Sequence, residues 1–167
     1  MTIRSGFTKS GSLRGIAGAA RLPRDLSRLA AHVERLTGRP VRVEIAFVSD
    51  LEIGRLNRTW LGHHGPTDVI SFPLPDSEGV RGAGPLPLLG ALAVSRETAR
   101  REAVSRGHAA YHELLLYVVH GVLHLAGHGD RTARQRSRMR RAERTALAAL
   151  GLPAVYERRP AGAREAS

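Results

Sequence analysis

His120 and His124 stand four residues apart in an apolar helical run, and Gly127 then breaks that run. Residues at this spacing stack on one helix face with Cβ atoms about 5–6 Å apart, so both imidazoles can reach one metal ion. Asp130 follows the break. On a continuous helix it would lie about 15 Å beyond His120. A left-handed glycine at Gly127 lets the chain end the helix and fold back, carrying Asp130 beside the two rings. His128, two residues nearer, competes as the third ligand. Two histidines and a carboxylate, with a position left for water, suit a catalytic Zn2+. The same set also holds ferrous iron. Two core histidines satisfied by backbone partners would be the rival explanation, but burying both without strong partners costs on the order of a few kcal/mol.

One absence narrows the chemistry. A metalloprotease of the His-Glu-x-x-His type places a glutamate base directly after its first histidine. Here that position is Gly121, so this route to peptide hydrolysis lacks its base. Gly121 instead leaves open space beside the metal or packs against a neighbouring element. Glu113 and Tyr117 lie on the same helix face as the histidines, at spacings of four and three.

The elements that must position these groups can be read along the chain. The 167 residues are enough for one domain with a real core. Residues 1–22 are rich in Gly, Ser, Ala and Arg and read as a flexible basic arm, with no signal-peptide apolar block. Apolar residues at Leu26, Leu29, Ala30, Val33 and Leu36 predict a helix from Pro23, stopped near Gly38. Val41 to Val48 alternates and predicts a strand. Ser49 or Asp50 caps a helix through Ile53, Leu56, Asn57 and Trp60. His63-His64-Gly65-Pro66 is a turn, Val69 to Pro73 a short strand, and Asp76 to Pro87 an exposed loop. Leu89 to Val94 is a third strand. Helices follow from Ser95 to about Arg106, from Ala110 to Ala126, and from about Thr132 to Leu150. Residues 153–167 read as a disordered tail, which leaves residues 23–152 as the folded domain.

Composition sets the partners. The net charge is +11, which favours nucleic acid or another polyanion. Lys9 is the only lysine, so a codon bias toward arginine also feeds this charge. Arginine binds phosphate bidentately whatever placed it there. The absence of cysteine excludes disulfides, thiolate catalysis and cysteine-based metal sites, and suits a cytoplasmic location. No run approaches the roughly 18 apolar residues of a membrane span.

The stretch His120-Gly121-Val122-Leu123-His124-Leu125-Ala126-Gly127 resembles the His-Gly-x-Leu-His-Leu-x-Gly signature of the YbeY family of bacterial endoribonucleases and rRNA maturation factors. Pro66-Thr67-Asp68-Val69-Ile70-Ser71-Phe72-Pro73 resembles that family's second signature, with Leu56-Asn57 at the expected distance before it. Met139, Glu143, Leu147 and Gly151 fit its final helix, and the likeness covers roughly residues 40–152. The resemblance implies an α/β (α+β) fold: one small domain, a central mixed sheet of about four strands packed by helices, and a metal site at the end of a central helix. It also implies a zinc-dependent, single-strand-specific endoribonuclease acting in small-subunit rRNA maturation and ribosome quality control, with RNA of the small subunit as partner. Asp68, in the matched block, would support the sheet–loop geometry or stand behind the metal, or only cap its turn. Thr67 and Ser71 offer hydroxyls to phosphate or to backbone.

The chain departs from the family pattern at three places. The usual signature ends Gly-Tyr-Asp-His, with the last histidine as ligand; here Gly127-His128-Gly129-Asp130 places Asp130 there. A carboxylate weakens the metal's Lewis acidity and raises the pKa of bound water. The usual arginine after the aromatic residue is Leu61, following Trp60, and the usual acidic residue of the third strand is Ala91. His63 or His64 could supply some of the lost chemistry.

Arg134, Arg138 and Arg141 fall on one face of the final helix and could track a phosphate backbone. The expected enzyme therefore holds one metal through His120, His124 and Asp130, polarises a phosphate oxygen or activates water, and neutralises charge with arginine. No side chain stands out as a general base. The rivals are a non-catalytic ribosome-associated factor with a structural metal, which Leu61 favours, and a metal-dependent hydrolase of another substrate class, which Gly121 disfavours.

Overall fold

The computed structural model describes residues 6–74 and 88–153. Strand β1 (Gly6–Ser10) leads through a 3-10 turn (Ala19–Arg21) to helix α1 (Leu22–Thr37) and strand β2 (Val41–Val48). Helix α2 (Asp50–Leu56) runs into a wider π-turn (Asn57–Leu61), followed by strands β3 (Val69–Pro73) and β4 (Leu88–Ser95). Helices α3 (Arg96–Arg106), α4 (Ala110–Leu125) and α5 (Ala133–Ala149) complete the described chain.

The strands form one mixed sheet in the order β1-β2-β4-β3, in which β1, β2 and β4 run parallel and β3 antiparallel to β4. Alternation dictates the faces of β2. Val41, Val43, Ile45 and Phe47 are buried toward the helices, whereas Arg42 and Glu44 are exposed. Helix α1 presents Leu22, Leu26, Leu29, Ala30 and Val33 at helical spacing to that core, and Gly38 ends it with φ 67°. Helix α4 is apolar nearly all round, with Leu114, Leu115, Val118, Val119, Val122 and Leu123 fully buried, so it is the central helix.

Gly121 shows how closely that helix sits on the sheet. A Cβ there would lie 2.8 Å from Leu92 Cδ2 and 3.1 Å from Ser71 Oγ. Of the two readings of this glycine, the structure supports packing.

The N-terminal expectation needs correcting. Residues 1–22 are not wholly a flexible arm, because Gly6–Ser10 pairs with β2, Phe7 opposite Val43. Arg96 Nη1 donates to the Ser12 carbonyl at 2.8 Å and Arg100 Nη2 to the Arg14 carbonyl at 2.6 Å. Ile16 and Leu22 are buried in the core. The segment borrows its order from β2 and from two arginines of α3, so it carries no periodicity of its own. At the other end, Leu152 packs into the core. The expected tail lies outside the described residues from 154 onward, as does the expected loop at 76–87. No described helix is long and apolar enough to cross a membrane.

Candidate metal centre

The C-terminal end of α4 builds the site. The Gly127 N–H donates to the His124 carbonyl at 2.9 Å, and the His128 N–H to the Leu123 carbonyl at 3.0 Å. This pair of bonds is a Schellman motif, with Gly127 at φ 95° as its left-handed residue. The helix thereby closes its last carbonyls and turns the chain back. Thr132 then caps α5, its side chain accepting from the Gln135 N–H while Gln135 accepts from the Thr132 N–H. Arg136 Nη1 donates to the Arg131 carbonyl at 2.9 Å and to the Asp130 carbonyl at 3.3 Å, holding the intervening loop.

The result brings His120, His124 and Asp130 together, with one ligand atom from each within 4.8 Å of the others. His124 Nε2 lies 3.0 Å from His120 Nε2 and 3.3 Å from Asp130 Oδ2. Tetrahedral zinc with bonds of about 2.0–2.1 Å spaces its ligands about 3.3 Å apart, so these donors fit one ion. The rings meet edge to face, with centroids 4.5 Å apart. Both histidine side chains retain more than a quarter of their exposure and Asp130 nearly half, so the cluster is open to solvent.

Each ring is also held from behind. His120 Nδ1 lies 2.7 Å from Glu143 Oε1 on α5, which leaves Nε2 for the cluster. His124 makes a hydrogen bond with the His128 backbone. Such outer partners fix ring orientation and ligand basicity. Burial disfavours the His120 imidazolium, but the hydrogen bond and charge of Glu143, helped by Asp68 and Asp130, outweigh it and raise the pKa above the ordinary histidine value. His124 moves the other way, lowered by burial and by neighbouring His120.

The other expected residues sort as follows. The structure leaves the His128 ring outside the cluster, its contribution to His124 being through the backbone. Asp68 caps its own turn, accepting from the Val69 N–H at 2.8 Å and the Thr67 hydroxyl at 3.0 Å, while its charge also favours protonated His120. The Ser71 hydroxyl donates to the Gly121 carbonyl at 3.3 Å. Arg134, Arg138 and Arg141 are exposed along α5, the helix that delivers Glu143. His63 and His64 are exposed in their turn. Leu61 is exposed, and Ala91 sits between Glu44 and Phe72 in the sheet register.

Sequence reading did not assign Glu143 a place behind His120. Its signal was an acid on the buried face of α5, among Met139, Ala146 and Leu147. Arg136 was lost among the many arginines of that helix.

Fold and cluster together define a class: a single α/β domain with two helical histidines and a loop carboxylate placed for one metal ion. The model of the family "Endoribonuclease YbeY" matches residues 19–151, and the chain belongs to that family. The chain is 37% identical over 144 residues to Endoribonuclease YbeY of Erythrobacter litoralis, covering 83% of this chain and 85% of that protein. It is 38% identical over 154 residues to the protein of the same name from an Anaeromyxobacter species, covering 91% of this chain and 76% of that one. The solution structure of TM1509 from Thermotoga maritima superimposes with a TM-score of 0.58 at 25% identity, covering 93% of this chain and 99% of that one.

Proposed function

We propose that this chain is an endoribonuclease that cleaves single-stranded RNA in small-subunit rRNA maturation and ribosome quality control. Its metal is one Zn2+ held by His120, His124 and Asp130, and its place of work is the cytoplasm. The observation that carries this reading is the convergence of three ligand atoms within 4.8 Å, in a chain whose relatives bear the name Endoribonuclease YbeY. The metal, when bound, supplies Lewis acidity toward a phosphate oxygen or water. The chain's own groups prepare that step. Glu143 keeps the His120 Nε2 lone pair directed at the cluster, and the Schellman turn brings Asp130 to the open side. The carboxylate adds negative charge where the substrate is also anionic. Arg134, Arg138 and Arg141 offset that charge along the RNA backbone, so binding weakens steeply with salt.

The test is RNA cleavage by purified, metal-quantified protein on single-stranded and duplex substrates. The reading requires near-stoichiometric zinc, a preference for single strands, and loss of cleavage but retention of binding in His124→Ala. Salt-sensitive RNA binding without metal-dependent cleavage would instead establish the non-catalytic factor that exposed Leu61 favours.

A further inference from the structure

We infer that Trp60 is a stacking platform for an unpaired base of the RNA substrate. This inference rests on the RNA-cleaving reading above. Trp60 is 67% exposed, an unusual state for the largest side chain in the protein. It is nevertheless held in place. Its ring stands edge-on to Phe72, with centroids 6.0 Å apart and an interplanar angle of 77°. That geometry spends one edge of the aromatic pair on the protein and leaves indole surface to solvent.

The backbone beneath it is unusual too. Trp60 lies in the π-turn, which Gly62 ends by donating to the Asn57 carbonyl with φ 68°. Asn57 is buried, and its Nδ2 donates to the Gly65 carbonyl at 3.0 Å. Its Oδ1 has no hydrogen-bond partner among the described residues. A widened turn of this kind recurs at functional sites because it redirects the side chains that follow. Here it sets an indole outward on a pinned loop.

The occupant follows from charge and position. The chain carries +11 and exposed Arg58 lies in the same turn, so a polyanion is the complementary partner. Phe72 belongs to β3, an edge strand of the sheet. Its neighbour Ser71 points to the opposite face and touches the Gly121 carbonyl, one residue after His120. A single strand rounding this edge would meet the metal cluster on one side and the indole on the other. Duplex bases are already stacked, so the platform selects unpaired ones.

Trp60 is the only tryptophan, so its fluorescence reports on this contact alone. The full chain is titrated with a single-stranded 2′-O-methyl oligoribonucleotide, which resists cleavage, and with the same backbone lacking bases. Affinity is read in parallel from anisotropy. The intact strand should quench the indole and the abasic strand should not. Trp60→Ala should weaken the intact strand by about fivefold to hundredfold, Trp60→Phe should restore most of that loss, and abasic affinity should be equal in all three proteins. Equal affinity of Trp60→Ala and wild type for the intact strand overturns the inference. So does self-association in sedimentation that Trp60→Ala abolishes, which would make the patch a contact between copies. Wild-type protein that binds neither strand overturns the RNA reading itself, whereas metal-dependent cleavage unaffected by Trp60→Ala overturns the platform alone.

Discussion

Helix α4 ends in two polar clusters that share one face and differ in kind. Near its start, Glu113 is fully buried. It pairs with Arg106, lies 2.8 Å from His108 Nε2, and accepts a hydrogen bond from Tyr117. Near its end, His120 and His124 meet Asp130 in the open. The first cluster balances an acid against the Arg106 guanidinium and closes over it. The second gathers two imidazoles and a carboxylate, the donor set that a metal cation takes. Burial and Glu113 both drive the Tyr117 hydroxyl well above the ordinary phenol range, so it stays neutral between the two. One helix thus uses the same stripe to hold the fold together and to prepare chemistry, and the solvent exposure of each end decides which.

The largest effect should come from the open end. His124→Ala should drop bound zinc from about one equivalent to near none and bring RNA cleavage to background, while changing the melting temperature of metal-free protein little. If metal-free His124→Ala unfolded like a core mutant, the contrast between the ends would collapse. At the closed end, Glu113→Ala should cost roughly 3 kcal/mol, because it removes the charge-assisted bond to Arg106 and leaves a cavity in the core. Denaturant unfolding checks this, and zinc content in the surviving folded protein should match wild type.

Glu143→Gln sharpens the comparison, since it removes the charge behind His120 without replacing any of the three cluster residues. It should weaken zinc about 10- to 100-fold in chelator competition, with a smaller effect on stability. The smallest effect lies away from both ends, at Asp50. Burial would raise its carboxyl, but the hydroxyls of Ser95 and Thr98 and the Arg101 guanidinium hold it below the usual 3.8. A lowered folded value contributes stability that is present above the unfolded value and lost as pH falls through the folded one. Asp50→Asn should therefore cost about 1 kcal/mol at neutral pH, keep that deficit down to about pH 4, and converge on wild type only as pH falls further, through the lowered folded value, in thermal melts.

What could be read in advance follows from how locally each feature is encoded. The helical stripe of α1, the alternation of β2 and the His-x-x-x-His spacing are written in neighbouring residues. Gly127 was legible as a hinge because only a turn could return Asp130 to the rings. Glu143 was not legible in its role, because its partner lies 23 residues away and their meeting depends on how α5 packs. No periodicity announces the π-turn or the Asn57–Gly65 bond beside it. Strand β1 was hidden for a related reason: Gly, Ser and Thr declare no face, and its register comes from β2.

The anchoring of that strand has a consequence in time. Its flanking segment is fastened by Arg96 and Arg100, which are 84 and 86 residues beyond the carbonyls they hold. During synthesis the N-terminus emerges first, yet its fastenings cannot close until α3 has been made. The opening strand of the sheet is therefore among the later pieces to be secured.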